Sequence, residues 1–222
     1  MVIKQRAILA EDKQERQRAI LDAAERLLGR APDRVANVAE VADEAGLAKG
    51  TVYLYFPSKE ELLLALHERH VDDFFRALMA LVATERLTID DMLALTERHM
   101  VAQPTFLPLA TRCFGIMRTE VPRAVAEAFK VRMASRLDDA GAGLERHFPG
   151  LRHGDGVALL RHSYALILGL WQMSSADVHS PAETSASCAL HAFEYPSELA
   201  RALRALRSGT LQQSSAETAK EA

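Results

Sequence analysis

Residues 45–63, AGLAKGTVYLYFPSKEELL, decide the fold because residues that end and begin helices follow one another closely in this stretch. Gly46 can adopt the left-handed backbone conformation that ends a helix without steric cost. Pro57 ends the following segment, and Ser58 with Glu61 has the spacing of a capping box that begins the next helix. The residues between these two ends therefore form a helix of only about two turns.

A second short helix precedes the glycine. Asn37 followed by Glu40 has the composition and spacing of a capping pair, so a helix is expected to begin directly after Asn37. Leu47 can make the apolar contact that accompanies a glycine-terminated helix. Two short helices joined by a glycine turn form the helix-turn-helix pattern, which here spans residues 37–56.

The later of these two helices is too short to be stable alone in water, so packing must hold it. Val52 and Phe56 are four residues apart and can face the interior together. The other side chains then face outward, and their chemistry suits the major groove of DNA. The predicted DNA-binding residues on and beside this face are Lys49, Gly50, Thr51, Tyr53, Leu54, Tyr55 and Lys59.

The outward residue types each have a physical role in such a contact. Gly50 lets a backbone come close to another surface, and Thr51 offers both a hydroxyl and a methyl group. Tyr53 and Tyr55 carry hydroxyls on rigid arms that suit phosphate oxygens. Lys59 lies at the first position of the next helix, where free N–H groups and its charge favour an anion. A helical hairpin with a solvated face is the alternative, which the fixed order of these features disfavours.

The rest of the chain has helical spacing and no alternating strand pattern, which predicts an all-α fold. A first helix is expected to end near Gly29. Thr88, with Asp91 at capping-box spacing, Thr105 and Asp155 are candidate caps. The expected later helices are Lys59 to about Thr84, Thr88 to about Val101, Thr105 onward, Pro122 to about His147, Asp155 to Met173, and Pro196 onward. Residues 174–187 are small and polar, which predicts a loop.

Composition is typical of a globular protein, with 222 residues, 49% hydrophobic and 26% charged. The longest nearly apolar run, residues 164–171, is far shorter than the ~20 residues that span a bilayer. No signal-peptide pattern precedes it, so a cytoplasmic location is expected. Because the net charge is −3, a DNA-binding face depends on local placement of charge. Cys113 and Cys188 lack metal or disulfide spacing and are expected to be reduced.

The helix-turn-helix stretch resembles the TetR family of transcriptional regulators. The resemblance covers about residues 14–70, with AILDAAERLL followed by NVAEVADEAGLAKGTVYLYFPSKEELL. It implies that Asn37 caps the second helix and contacts a phosphate. It also implies that bases are read by Lys49, Gly50 and Thr51, and that the DNA backbone is held by Tyr53, Tyr55 and Lys59. One departure is Ala48, where the family usually has a serine-like cap whose loss costs ~1 kcal/mol.

Two charged segments lie near this stretch. Glu40, Asp43 and Glu44 would repel phosphates, so their carboxylates are expected to point away from DNA. A basic stretch within residues 4–13 has the charge to reach a minor groove, but an untethered tail is the preferred interpretation.

The patterns and the resemblance together divide the chain into four segments. Residues 1–13 are expected to form a flexible arm, and residues 14–74 a three-helix DNA-binding domain. Residues 75–207 are expected to form a C-terminal helical domain for ligand binding and dimerisation. Residues 208–222 are rich in Ser, Gln, Ala and Thr, which predicts a disordered tail.

The C-terminal block contains the segment LLRHSYALILGLWQMSS, which is expected to be buried on most sides. Large apolar residues at helical spacing also fit a plain core, and that alternative stays open. The predicted pocket residues are His99, Phe114, Met117, Tyr164, Leu168, Trp171 and Gln172. The predicted dimer-interface residues are Ala165, Gly169, Leu199, Ala202, Leu203 and Leu206.

Histidines do not indicate a metal centre. His67 and His70 are three positions apart, but a zinc site needs three or four ligands. We therefore expect solvated histidines, no bound metal and no cofactor.

The function predicted is a ligand-responsive, sequence-specific transcriptional regulator, in particular a repressor released from a palindromic operator by a small molecule. The expected partners are operator DNA, a second copy of the chain and an effector of unknown identity, with no membrane. An activator, or a regulator without a ligand, has the same sequence signature. A helical enzyme or a protein-interaction module is the alternative from another class. No G-x-S-x-G, phosphate loop or H-E-x-x-H occurs, so enzymatic activity is not predicted.

Overall fold

A computed structural model describes residues 2–32, 34–84, 87–174 and 193–221, with side chains described only between residues 12 and 212. The described residues form helices and no strands, as the sequence predicts. The predicted loop after residue 174 and Cys188 lie outside the described residues. None of the described helices is long and apolar enough to cross a membrane.

We number the helices in chain order. They are α1 (Val2–Arg30), α2 (Val38–Ala45), α3 (Lys49–Tyr55), α4 (Lys59–Val82), α5 (Ile89–Thr96), α6 (Phe106–Thr119), α7 (Arg123–His147), α8 (Asp155–Ser174) and α9 (Tyr195–Glu221). A π-helical turn, Glu97–Val101, continues α5. The predicted helix from Thr88 to about Val101 is therefore present, with its last part wound as a π-helix.

The helices form two compact units. The first comprises Met1–His70 with Pro104–Ala126, and the second comprises Val71–Gln103 with Glu127–Ala222. The boundary falls within α4, and α6 belongs to the first unit although it follows the predicted DNA-binding segment in sequence.

Helices extend through both predicted terminal segments. Residues 2–13, predicted as a flexible arm, are the first turns of α1, and residues 208–221, predicted as a disordered tail, continue α9. Both stretches are rich in helix formers such as Ala, Gln, Glu and Lys, and neither contains proline. Local propensity therefore favours a helix in segments whose polar composition suggests disorder.

In the first unit, a polar cluster joins three helices. Arg69 of α4 donates to Asp22 of α1 at 2.5 Å and also to Glu25. The nitrogen Nε2 of His70 lies 2.6 Å from the Glu25 carboxylate. The hydrogen bond from His70 is the largest cause that lowers the pKa of Glu25 to about 2. Thr105 does not cap α6 as predicted, because its hydroxyl donates to Glu25 at 3.3 Å instead.

His67 and His70 are not the solvated histidines expected from the sequence. The His67 side chain is buried at 3% exposure, and the His70 side chain is 10% exposed. Phe106, at the start of α6, covers both rings with centroid distances of 5.7 and 6.1 Å. The expectation failed because α6, which is remote in sequence, supplies the covering ring.

The burial of His67 predicts a pH-dependent stability. Burial, followed by the nearby His70 charge, lowers the pKa of His67 from 6.5 to about 4. Between pH 6.5 and pH 4, His67 is therefore protonated in the unfolded chain but neutral in the folded chain. Its neutral form makes no demand on the unfolding free energy above pH 6.5, and that free energy falls as the pH drops towards 4. Between pH 7.5 and 5.5 this group should remove ~1 kcal/mol of unfolding free energy.

Urea unfolding of wild type and His67→Gln at the two pH values measures this contribution. The variant should lose less stability on acidification, whereas His162→Gln, on an exposed part of α8, should behave as wild type does. Equal acid sensitivity of wild type and His67→Gln would contradict the assignment.

The second unit is built on helix pairs. Along the α8–α9 pair, the Tyr195 hydroxyl donates to the Ile167 carbonyl at 3.0 Å, and the Tyr195 ring meets Trp171 edge to face. Between α7 and α8, the Glu145 carboxylate accepts from the backbone N–H groups of Gly154 and Gly156 at 2.8 and 3.1 Å. This carboxylate, supplied by another helix, caps the start of α8.

Candidate nucleic-acid interface

The start of α2 has the predicted capping box. The Asn37 side-chain oxygen accepts from the backbone N–H groups of Ala39 at 2.9 Å and Glu40 at 3.1 Å. In return, the Glu40 carboxylate accepts from the Asn37 backbone N–H at 2.8 Å. Because the amide oxygen is used by the cap, the amide NH₂ of Asn37 is the part that can donate to a phosphate.

The turn after α2 is closed by Gly46, which has the left-handed conformation expected of it, with φ 67° and ψ 31°. Its N–H donates to the Asp43 carbonyl at 3.1 Å, and the Leu47 N–H donates to the Ala42 carbonyl at 2.9 Å. These two bonds make a Schellman motif, which ends α2 and sends the chain directly into α3.

Two faces of α3 differ sharply in exposure. Val52 is fully buried and Phe56, just after the helix, is 4% exposed, as predicted. On the outer face, Leu54 is 82% exposed and Tyr53 is 43% exposed. Lys49 and Gly50 are also exposed, and Thr51 and Tyr55 are half-buried. The seven-residue helix is thus anchored on its apolar side and presents side chains of the predicted types outward.

Two basic side chains lie on or beside this face. The Lys49 ammonium lies 5.9 Å from the centroid of the Tyr53 ring, a cation–π distance that limits where the lysine can point. The side chain of Lys59, at the start of α4, is 43% exposed. Its Nζ lies 3.6 Å from Oε1 of Glu60, and such an ion pair at the surface contributes little. The Ser58 hydroxyl accepts from the Glu61 N–H at 3.1 Å, so the start of α4 is capped.

Two of the acidic residues of α2, Glu40 and Glu44, are paired with arginines. Glu44 accepts from Arg26 and Arg30 of α1 at 2.7 and 2.8 Å, and Glu40 pairs with Arg34 at 2.7 Å. Hydrogen bonds from Arg30 and Arg26 lower the pKa of Glu44, so it stays ionised. These arginines offset the negative charge that α2 would otherwise present.

The start of α3 lacks one stabilising bond. Ala48 occupies the cap position with an extended backbone, φ −68° and ψ 141°, and makes no side-chain hydrogen bond. We expect Ala48→Ser to raise the unfolding free energy by ~1 kcal/mol, because a serine hydroxyl can accept from a free N–H of the first turn. Urea unfolding checks this. Ala80→Ser, at an exposed interior position of α4, should instead be neutral or slightly destabilising, and equal effects of the two changes would contradict the expectation.

A capped short helix, a glycine turn and an exposed, well-anchored second helix define a helix-turn-helix protein of the DNA-binding class. Residues 20–66 match the family described as bacterial regulatory proteins, tetR family, and residues 66–214 match the tetracyclin repressor-like C-terminal domain. The chain therefore belongs to the TetR family of transcriptional regulators, as the sequence resemblance predicts.

Relatives match over part of the chain. The fatty acid metabolism regulator protein of Bacillus subtilis is 31% identical over 85 residues, which are 38% of this chain and 43% of that protein. The transcriptional regulator EthR of Mycobacterium tuberculosis is 43% identical over 67 residues, which are 30% of this chain and 31% of that protein. The matched regions thus span less than half the length of either relative.

Solved structures share the fold over most of the chain. A protein from Mesorhizobium loti described as a TetR-family transcriptional regulator aligns with a TM-score of 0.56 and 19% identity, over 90% of this chain and 96% of that one. A protein from Pseudomonas aeruginosa described as a transcriptional regulator aligns with a TM-score of 0.58 and 16% identity, over 92% and 94%. At these identities the likeness concerns the fold alone.

The predicted pocket residues lie in both units. Phe114, which is 49% exposed, and Met117 belong to the first unit, and the other five belong to the second. Among those five, Leu168 is buried, Gln172 is exposed, and His99, Tyr164 and Trp171 are half-buried. Burial lowers the pKa of His99.

An open cleft of about 220 Å³ in the second unit has a different lining. It lies between α4 and α7 and is lined by Asp72, Phe75, Arg76, Met79, Arg136 and Asp139. None of the seven predicted pocket residues is among them. The Asp72–Arg136 pair, with 2.5 Å between side-chain atoms, was not singled out because its partners are 64 positions apart, with no local spacing signal.

The predicted dimer residues divide into two groups. Leu199 and Leu203 are 2% and 1% exposed, so they belong to the core of their own chain. Ala165 is exposed, and Gly169, Ala202 and Leu206 are half-buried, so these four form the available part of the predicted surface. A Cβ added at Gly169 would meet no atom within 4 Å.

Proposed function

We propose that this protein is a homodimeric repressor that binds a palindromic operator and is released from it by a small-molecule effector. The observation that carries the DNA-binding part is the contrast within α3 between fully buried Val52 and Leu54, which is 82% exposed. Covering this leucine would remove apolar surface from water, and its methyl groups can pack against a thymine methyl.

Base and phosphate contacts are assigned to different residues. Lys49, Gly50 and Thr51 enter the major groove and read base edges, with Leu54 beside them. The phosphate contacts are assigned to Asn37, Tyr53, Tyr55 and Lys59. The residues that contact phosphates supply most of the affinity and its salt dependence. The residues that contact bases supply the sequence preference.

A second copy of the chain is the proposed partner in the regulator. On α8 and α9, the small residues Ala165, Gly169 and Ala202 allow close approach of the same two helices from another chain, and the partly exposed Leu206 adds an apolar contact. Such an isologous contact would place two reading helices on half-sites about one helical turn, or a multiple of ~34 Å, apart. This arrangement matches a palindromic operator.

Release by an effector requires the ligand to prefer one arrangement of the second unit over another. A ligand shifts such an equilibrium only by its difference in affinity for the two states. The C-terminal family match covers most of the second unit, which also contains the open cleft and several buried polar groups, and these support a ligand-binding role there.

The test is a fluorescence-anisotropy titration of the chain's own upstream DNA against scrambled DNA, over a series of salt concentrations. We expect binding of two chains per operator with clear sequence preference. Lys59→Met should lower the log–log salt slope by ~0.9 for each lost phosphate contact, hence about 2 for a dimer, without changing the preference. Lys49→Met or Thr51→Ala should change the preference instead.

Lys130→Met is the matched control, because Lys130 is an exposed lysine on α7 that pairs with Glu127 at 3.0 Å. It should leave both the slope and the preference unaltered. Equal affinity of the wild-type protein for operator and scrambled DNA would rule out the proposed function.

A further inference from the structure

Arg207 of α9 is a buried arginine with few partners. The residue is only 3% exposed. Its Nη2 donates to the Thr96 hydroxyl of α5 at 3.2 Å. Among the described residues, its Nε and Nη1 atoms have no hydrogen-bond partner, and both are shut off from solvent. Buried guanidinium groups normally pair with a carboxylate, so this arrangement needs an explanation.

The group stays charged in this environment. Burial lowers the pKa of Arg207 to about 10, and a group with that pKa remains protonated at neutral pH. The neighbouring hydroxyl is neutral, so it does not balance the charge. A buried cation facing only a hydroxyl is unfavourable unless an anion from outside the chain completes the site.

The guanidinium has the unused hydrogen-bond donors that a two-oxygen anion needs. Arginine has five N–H donors, and its two-nitrogen edges each match a carboxylate. The Nη2 atom carries two hydrogens, one on each edge. Whichever hydrogen Thr96 accepts, one complete edge of Arg207 stays free for a bidentate contact.

The partner residue is itself fixed and lies at an irregular point in its helix. The Thr96 hydroxyl donates to the Met92 carbonyl at 2.9 Å, so it can only accept from the arginine. Immediately after Thr96 the helix becomes the π-helical turn Glu97–Val101, with Ala102 N–H donating to the Glu97 carbonyl at 2.8 Å. Short π-helical turns are frequent at functional sites.

The residues beside the pair in sequence are apolar and buried. On α5, Met92 lies one turn before Thr96 and Leu95 directly precedes it. On α9, Leu203 lies one turn before Arg207. A hydrated inorganic ion would gain little from such side chains, whereas the hydrocarbon part of an organic acid would gain from their contact.

We propose that Arg207 is an anion-binding residue that anchors the carboxylate of a small organic acid with an apolar body. This inference rests on the proposed function, because it assigns the chemical class of the effector. Arg136 of the open cleft differs from Arg207, because Arg136 already pairs with Asp72. Since the free edge of Arg207 is closed to solvent, binding must follow a local opening and is slower than a simple encounter.

The experiment uses the full chain and measures binding by calorimetry and thermal shift. The probes are octanoate and benzoate, their uncharged amides octanamide and benzamide, and inorganic phosphate. At least one carboxylate should bind roughly tenfold or more tightly than its amide, because a desolvated charge-assisted pair is lost in the amide. Phosphate should bind more weakly than that carboxylate.

Variants connect the preference to the residue. Arg207→Met should reduce carboxylate affinity at least tenfold, and Arg207→Lys should give a smaller loss, because it keeps the charge without the fork. Arg204→Met is the control, since Arg204 lies three positions away, is more than half exposed and pairs with Asp90. It should bind the probes as the wild-type protein does.

A measurement on the wild-type protein tests the site without depending on whether the variants fold. The Nε–H signal of Arg207 in a ¹H–¹⁵N spectrum, assigned by its loss in Arg207→Met or in Arg207→Lys, should move downfield when the carboxylate is added. Equal binding of acid and amide, unchanged affinity in Arg207→Met, an unmoved Nε–H signal, or failure of both carboxylates to bind would each overturn the inference.

The operator titration separates this inference from the proposed function. If the protein binds its operator but no carboxylate, the inference fails and the DNA-binding function stands. If a carboxylate binds through Arg207 without weakening operator binding, the site stands and its role as the effector site fails.

Discussion

Phe106→Ala is expected to lower the free energy of unfolding by ~4 kcal/mol, which is within the range measured for removal of large buried aromatic side chains. Phe106 is fully buried at the start of α6. Its ring packs against His67 and His70 of α4, so the truncation would leave a cavity bordered by two imidazoles. Urea unfolding followed by circular dichroism gives the measurement.

A control on the same helix isolates burial from residue type. Phe114 is also a phenylalanine of α6 but is 49% exposed, so Phe114→Ala should cost less than ~1 kcal/mol. Similar losses for the two variants would show that Phe106 is not the packing centre of this unit. Water entering the Phe106→Ala cavity should also raise the pKa of His67 towards 6.5, because the burial that lowers it would be partly relieved.

The Phe106 side chain also bears on DNA binding. The same unit contains α3, which is too short to keep its conformation without its neighbours. A destabilised first unit should therefore bind operator more weakly, and binding should recover as the temperature falls towards the optimum for stability. A Phe106→Ala protein with full stability and full operator affinity would contradict the importance assigned to this ring.

Gly156→Ala is expected to lower the free energy of unfolding by ~3 kcal/mol, at the upper end of typical overpacking effects. A Cβ on Gly156 would lie 2.2 Å from the Gly141 carbonyl oxygen and 2.8 Å from its carbonyl carbon. These are backbone atoms of α7, so no side chain can move aside. The two helices must separate, which also displaces the Gly156 N–H from its 3.1 Å hydrogen bond to Glu145.

The matched control is Gly209→Ala in α9. A Cβ there would meet no atom within 4 Å, and alanine is favoured over glycine inside a helix by ~1 kcal/mol. Gly209→Ala should therefore raise the melting temperature, whereas Gly156→Ala should lower it. A rise in both would show that α7 and α8 can adjust their spacing freely.

Gly141 provides an independent check on the same crossing. A Cβ on Gly141 would lie 2.7 Å from the backbone nitrogen of Val157 in α8. Gly141→Ala should thus destabilise in the same direction as Gly156→Ala. Because both changes act on one helix contact, the double variant should lose less than the sum of the two single losses.

Features set by neighbouring residues were predictable from the sequence. The capping boxes at Asn37 and Thr88, the left-handed Gly46 and the inward face of Val52 and Phe56 all appear as expected. Each depends on side chains within about four positions of one another, so backbone geometry alone connects them. The family resemblance rests on those of these residues that lie in the helix-turn-helix, and it is confirmed by the family match.

In the two terminal segments, composition and helix propensity point in different directions. The polar residues of the arm and the tail suggested disorder, yet both continue long helices. Composition says how much apolar surface a segment can bury, whereas helix formation also depends on the propensity of each residue and on the folded helix next to it. A helix that is already nucleated extends at little cost.

Residues that touch across long sequence separations could not be predicted. His67 is buried because α6 places Phe106 over it, and the Glu145 carboxylate caps a helix to which it does not belong. Arg207 carries no local signal, since an arginine on a helix is ordinarily solvated. Only the position of α5 against α9 makes Arg207 a buried cation.

The amino-acid sequence by itself determined the all-helical fold, the helix-turn-helix and the outward face of α3, because periodicity and capping act over a few residues. The tertiary structure decided which polar groups are buried and what they meet. Desolvation and ion pairing depend on the neighbours that folding brings from elsewhere in the chain, and so do the pKa of His67, the Gly141–Gly156 contact and the free edge of Arg207.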